Sequence, residues 1–309
     1  MAGGGGTGPV ICVTGLTKRY GATPAVDGVS FEIGRAEIFG LLGRNGAGKT
    51  TTVECLQGLR HADSGEIRVL GLDPGTQSAA LRRRIGCQLQ ESALPARIKV
   101  WEALEWFASF CPGRGDWNAL IGEWGLAGKR NAHFGDLSGG QRQRLFVALA
   151  LVNDPEVVFL DEMTTGLDPA ARHVAWDLIE AIRDRGTTVV LVTHAMDEAE
   201  RLCDRLAVMD AGKIVELDTP HDLIARHTSE ITVRFSAAHQ DVSWLREVPG
   251  VAAMAHHDGQ VEVTGCGPVA VDVAAALAAH GVRPADLWVD RPSLEDVFLR
   301  IVGRSLDEG

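Results

Sequence analysis

The chain has 309 residues, 45% of them hydrophobic, and carries a formal net charge of -11. That length accommodates one large domain and one small one. The negative balance argues against nucleic acid as a partner, since Arg82-Arg83-Arg84 reads as a solvated helix face rather than a basic surface.

Residues 1–8 form a glycine-rich, flexible tail without the basic and apolar regions of a signal peptide, and no stretch approaches eighteen consecutive apolar residues, so no leader or membrane span is expected. Cys12, Cys55, Cys87, Cys111, Cys203 and Cys266 include no C-x-x-C pair and suit reduced, mostly buried thiols of a cytosolic protein. The apolar run at residues 38–42 predicts a buried strand, and Gly43-Arg44-Asn45-Gly46-Ala47-Gly48-Lys49-Thr50 follows it as G-x4-G-K-[ST]. Glycines there let backbone N–H groups press onto phosphate oxygens, and a helix starting near Gly48 points its positive end at the same anion. Lys49 is placed to reach the β- and γ-phosphates, and the Thr50 hydroxyl to ligate Mg²⁺.

A helical segment is expected over about residues 91–150. Within it Val100, Ala103, Leu104, Phe107, Ala108 and Cys111 recur at helical spacing as a core stripe, with Trp106 and Phe110 to one side. Those two rings belong either to a wide buried face or to a surface that receives a partner's helix. Leu137-Ser138-Gly139-Gly140-Gln141 then opens an apolar helix through Leu145, Ala148, Leu149 and Leu151, with Ser138 as its cap and two glycines leaving amides bare: a second anion site. Val157-Val158-Phe159-Leu160 predicts a central parallel strand that delivers Asp161 and Glu162 at its C-terminal edge, where open α/β sheets bind ligands. Asp161 suits Mg²⁺, and Glu162 suits orienting and deprotonating an attacking water. Residues 187–193 predict another buried strand, ending at His194. Two phosphate clamps about ninety residues apart make sense in one chain if each grips a different nucleotide, as when two copies pair head to tail.

Beyond residue 228 the pattern changes. Residues 231–235 alternate as a half-buried strand, 242–248 read as a helix, 251–255 and 261–264 as strands, Val269, Val273 and Leu277 as a helix, and 282–289 as a last strand, giving a βαββαβ order like ferredoxin-type modules. Ser293 and Asp296 make a capping box for a final helix with Leu294, Val297, Phe298, Ile301 and Val302 on one stripe. His256-His257 is a weak metal candidate, because neighbours on a strand face opposite ways.

Leu137-Ser138-Gly139-Gly140-Gln141, with the phosphate loop and the acidic strand end, resembles the ATP-binding cassette family, densely over residues 10–227. That resemblance implies an α/β P-loop ATPase domain with a helical insertion (residues 9–228) and a small α+β ferredoxin-like domain (229–309). It implies ATP held by Gly43, Asn45, Gly46, Ala47, Gly48, Lys49, Thr50 and Thr51, with Tyr20 stacking on adenine. It also implies Mg²⁺ on Thr50, Gln90 and Asp161, catalysis by Glu162 with His194 and Gln90, and Ser138, Gly139, Gly140, Gln141 and Asp168 serving the opposite site of a nucleotide-sandwich homodimer. Gln90 is preferred over Gln88 on family register alone. The pattern departs at Ala36, Arg44 and Met163, none of which is a phosphate or metal ligand. Pro292-Ser293-Leu294-Glu295-Asp296-Val297-Phe298-Leu299 resembles the tail of ATPase subunits of ABC-2 type and daunorubicin-resistance exporters, which implies a cytoplasmic subunit peripheral on the inner membrane face and a separate ABC-2 type transmembrane permease. A soluble nucleotide switch without a transporter, and a C-terminal domain that acts as a ligand-responsive regulator, are the alternative readings.

Overall fold

The computed structural model describes residues 8–88, 93–110, 115–227, 230–237, 241–257, 259–290 and 292–307, with side chains up to 301. Gln90, Cys111, Asp258 and the Val302 side chain therefore lie outside the described residues. The chain divides into one unit of residues 1–220 and another of 221–309.

In chain order the first unit runs β1 (Ile11–Tyr20), β2 (Thr23–Ile33), β3 (Ile38–Gly43), α1 (Lys49–Leu56), β4 (Ser64–Val69), α2 (Ser78–Leu81) and β5 (Ile85–Gln88). It continues through α3 (Val100–Ala108), α4 (Trp117–Glu123), α5 (Gly139–Leu151), β6 (Val157–Asp161), α6 (Pro169–Asp184), β7 (Thr188–Thr193), α7 (Met196–Leu202), β8 (Arg205–Asp210) and β9 (Lys213–Asp218). A six-stranded sheet has the order β5-β6-β7-β3-β8-β9, parallel except for β9. Its inner strands β3, β6 and β7 are buried at every position, because one face meets α1 and the antiparallel strands while helices cover the other, and an unbroken apolar run is then the stable choice. A three-stranded antiparallel sheet, β2-β1-β4, packs alongside, with the Phe31 and Phe39 rings stacked at 5.3 Å between centroids.

Helices α3, α4 and α5 pack on one another as the predicted helical segment. Val100, Ala103 and Leu104 are buried and Phe107 and Ala108 half-buried, as their spacing predicts. Trp106 and Phe110 are 51% and 63% exposed, so the wide-buried-face reading of these rings is not met. Close approach fixes α5 against β5: a Cβ at Gly86 would collide with the backbone carbonyl of Ala150.

The second unit contains α8 (Pro220–His227), which starts at the division, then β10 (Glu230–Ser236), β11 (Val251–His257), β12 (Gln260–Cys266), α9 (Val269–Ala279), β13 (Leu287–Asp290) and α10 (Leu294–Asp307). The sheet order is β11-β12-β10-β13, antiparallel throughout, which is the ferredoxin-type arrangement. Val233, Phe235, Val261 and Val263 bury one face of it with Val269, Val273 and Leu277 of α9. Two expectations need correction. Residues 242–248 form only a 3₁₀ turn, Ser243–Glu247, since Pro249 follows at once and leaves no room for an α-helix. The last strand begins at Leu287 rather than at 282, because Pro284 cannot donate to the ladder and Asp286 instead accepts hydrogen bonds from the Ser236 N–H and hydroxyl at 3.1 and 2.6 Å. The Ser293–Asp296 capping box forms as read, with Ser293 N–H to Asp296 Oδ2 at 2.8 Å.

Gly86→Ala should lower stability by about 1–3 kcal/mol through this backbone collision, seen as an earlier urea unfolding midpoint. An unchanged midpoint would show that α5 and β5 can separate freely.

Candidate functional site

Sheet order brings the predicted residues together. β6, β7 and β3 are neighbours, with Asp161 opposite Val192 and Leu42 opposite Thr193, so their C-terminal ends lie side by side. The phosphate loop leaves β3, Glu162 follows β6 and His194 follows β7. Residues far apart in sequence thus share one sheet edge.

The loop is built by close packing and by backbone that glycine alone adopts readily. Gly46 and Gly48 have φ of 84° and 100°. A Cβ on Gly48 would strike the Ala25 carbonyl of β2, and one on Gly43 the Met209 carbonyl of β8. The Thr52 hydroxyl donates to the Gly48 carbonyl at 2.9 Å and braces the first turn of α1. An open cleft of about 360 Å³ results, lined by Ala25, Asn45, Gly46, Gly48, Lys49, Thr50, Thr51 and Glu162. Ala47 is buried beneath it, its carbonyl accepting from the Gly212 N–H at 3.1 Å.

Lys49 is 6% exposed, and its Nζ donates to the Gly43 and Arg44 carbonyls at 2.7 and 3.0 Å. Burial pulls its pKa down, while the carboxylates of Glu162 and Asp161 pull it back. Asp161 is buried as well, and burial, then the adjacent Glu162, push its pKa up to about 6. A cation arriving with phosphate would relieve this strain. The Thr50 hydroxyl at the cleft and the buried Asp161 carboxyl are oxygen donors of the kind a hard cation takes together with phosphate oxygens and water.

Glu162 departs from strand geometry. Its φ is 47°, a left-handed backbone held by its N–H bonding the Val192 carbonyl at 2.9 Å, and this turns the side chain toward the cleft. His194 Nδ1 lies 3.1 Å from Glu162 Oε1. Sequence reasoning missed Glu198 of α7, fully buried, whose Oε1 accepts from Trp176 Nε1 at 3.3 Å. Burial raises its pKa, and the neighbouring Thr193, Thr164 and Trp176 oppose the rise, while its Oε2 is buried without a hydrogen-bond partner. It thereby links the segments after Glu162 and before His194. An acidic residue at the apolar face of a short helix was the available signal.

Ser138, Gly139, Gly140, Gln141 and Asp168 do not join the cleft. Ser138 and Gln141 form a reciprocal cap on α5, Ser138 N–H to Gln141 Oε1 at 3.1 Å and Gln141 N–H to Ser138 Oγ at 3.4 Å. Asp168 caps α6 through the Ala171 N–H at 2.9 Å. Among the described residues nothing lies within 4 Å of where a Gly139 Cβ would be, and its φ is not positive, so this chain by itself gives no reason for glycine there. Tyr20 is 48% exposed at the tip of the β1–β2 hairpin, with the Arg60 guanidinium 5.2 Å from its ring centre, and is not among the residues lining the cleft.

A glycine loop between buried strand and helix, a buried lysine and an acid pair at the end of the next strand but one define a P-loop nucleoside triphosphatase. The sequence profile of the ABC transporter family matches residues 26–165. A Nod factor export ATP-binding protein I from Burkholderia orbicola is 38% identical over 303 residues, 95% of this chain and 97% of that protein. Among solved structures, cbiO1 from Clostridium perfringens, part of an ABC transporter complex, is 26% identical with a TM-score of 0.65 over 71% of this chain and 91% of that one. A dimeric bacterial ABC transporter cassette is 24% identical with a TM-score of 0.60 over 68% and 98%. The chain belongs to the ABC transporter family and is one of its ATPase subunits.

Lys49→Ala should weaken ATP binding at least tenfold, by about 1.4 kcal/mol or more, in equilibrium titration. Unchanged affinity would contradict the clamp.

Proposed function

We propose that this chain hydrolyses Mg-ATP as a head-to-tail homodimer and powers an exporter whose membrane-spanning part is a separate ABC-2 type permease. The observation that carries the dimer is the split clamp: the cleft beside Lys49 is lined without Ser138–Gln141, and Gly139 presents bare backbone outward. A second copy supplies the missing wall.

In this reading the loop amides from Gly46 to Thr51 hold the phosphates and Lys49 releases its carbonyl partners to take phosphate oxygens. Tyr20 stacks on the base. Mg²⁺, held by Thr50, Asp161 and Gln90, would neutralise charge on those oxygens. Glu162 accepts the proton of the attacking water, and His194, within hydrogen-bond reach of it, fixes the carboxylate and contacts the γ-phosphate. Asp168 runs along the dimer seam.

Export as the direction of transport rests on the Burkholderia relative, an export ATP-binding protein alike over nearly all of both chains. Among the described residues no helix is long and apolar enough to cross a membrane, which accords with a subunit peripheral on the inner face and a pore elsewhere. Trp106 and Phe110 offer the exposed apolar surface on which such a partner could seat.

Glu162→Gln should lower turnover by roughly 10²–10⁴ while preserving ATP binding. In that variant ATP should produce a dimer on size exclusion that Ser138→Arg abolishes. Wild-type protein that stays monomeric with saturating ATP, with a specific activity independent of dilution, would exclude the sandwich. For export, a multi-span membrane protein should co-purify from membranes with the tagged subunit.

A further inference from the structure

A cavity of about 300 Å³ lies in the first unit away from the phosphate cleft, between α5, α6 and the segment that joins β6 to α6. Its walls are apolar: Trp124, Val147, Met163, Leu167 and Leu178 line it. Two polar side chains from α5 also line it. Gln143 Nε2 is buried without a hydrogen-bond partner. Arg144 bonds through Nε to the Gly140 carbonyl at 3.4 Å and forms no ion pair among the described residues. Its guanidinium lies over Gly125, where a Cβ would come within 2.8 Å of Nη1. The acid lining the cavity, Asp168, has Oδ1 engaged by the Ala171 N–H at the start of α6.

A buried donor without an acceptor costs about 1–3 kcal/mol, and a guanidinium beside apolar walls favours an oxyanion over water. Pockets of this kind, apolar with a few converging polar groups, are the usual form of small-molecule sites. We propose that the cavity is a regulatory site for a small organic anion with an apolar body, its acid group meeting Arg144 and Gln143 and its body lying against Trp124, Val147 and Leu178. The ligand bridges α5, capped by Ser138, to α6, capped by Asp168. It therefore holds the two helix starts that the dimer must align, and slows turnover without touching the ATP cleft. The effect on turnover rests on the dimer reading above; binding does not.

The test uses 8-anilinonaphthalene-1-sulfonate as fluorescent probe on the full chain, displaced by decanoate, decanol or decyltrimethylammonium. Decanoate should displace it at least tenfold more effectively than the alcohol or the cation. Arg144→Met should abolish that preference, Arg144→Lys should retain it, and Val174→Trp, at an exposed position of the lining, should block binding, all with unchanged ATP affinity as the control for folding. Equal displacement by the three compounds, or wild-type binding in both Arg144→Met and Val174→Trp, overturns the site. Decanoate should also lower hydrolysis at saturating ATP several-fold in wild type and not in Val174→Trp. Retained binding with unaltered turnover overturns the regulatory claim, and this is distinguishable from failure of the dimer, which dilution and size exclusion read without decanoate.

Discussion

A single buried ammonium group organises this molecule. Lys49 is held inside by two carbonyls of its own loop, and its charge is tolerable there because Asp161 and Glu162 stand close by on the next strand but one. The arrangement is electrostatically poised. One cation faces two carboxyls, one of them with its pKa lifted by burial, so the cleft is prepared for a polyanion and a divalent cation together. The sheet exists to keep these groups within reach, and the parallel order β6-β7-β3 is the means.

Around that centre the chain separates two functions that a single-site enzyme would merge. In the proposed function the strand ends contribute the groups that act on phosphate, whereas the starts of α5 and α6 are capped by Ser138 and Asp168 and do not join the cleft. Glu198 and Trp176 tie α6 and α7 to the segments beside Glu162 and His194.

Much of this was legible because the phosphate loop, the capped serine turn and the acidic strand end are contiguous in sequence, and each carries its own stereochemical signature. Buried parallel strands also announce themselves, since both faces must be apolar. Less visible were the features made by tertiary approach: Ala25 against Gly48, the buried Glu198, and the apolar cavity that Gln143 and Arg144 help to line. In the second unit the strand order followed from element order alone, but local rules failed where proline intervened. Pro249 cut a predicted helix to one turn, and Pro284 delayed the last strand until Leu287. The family resemblance implies a base-stacking role for Tyr20, and the structure gives its ring an arginine neighbour, Arg60.

Glu162 occupies a conformation that an L-residue with a side chain reaches only at a cost of about 1–3 kcal/mol. The fold retains that disfavoured geometry because the same twist carries the carboxylate off the pleat and out over the cleft. With Glu162 in the proposed role, selection for thermal robustness and selection for turnover pull on this one position in opposite directions.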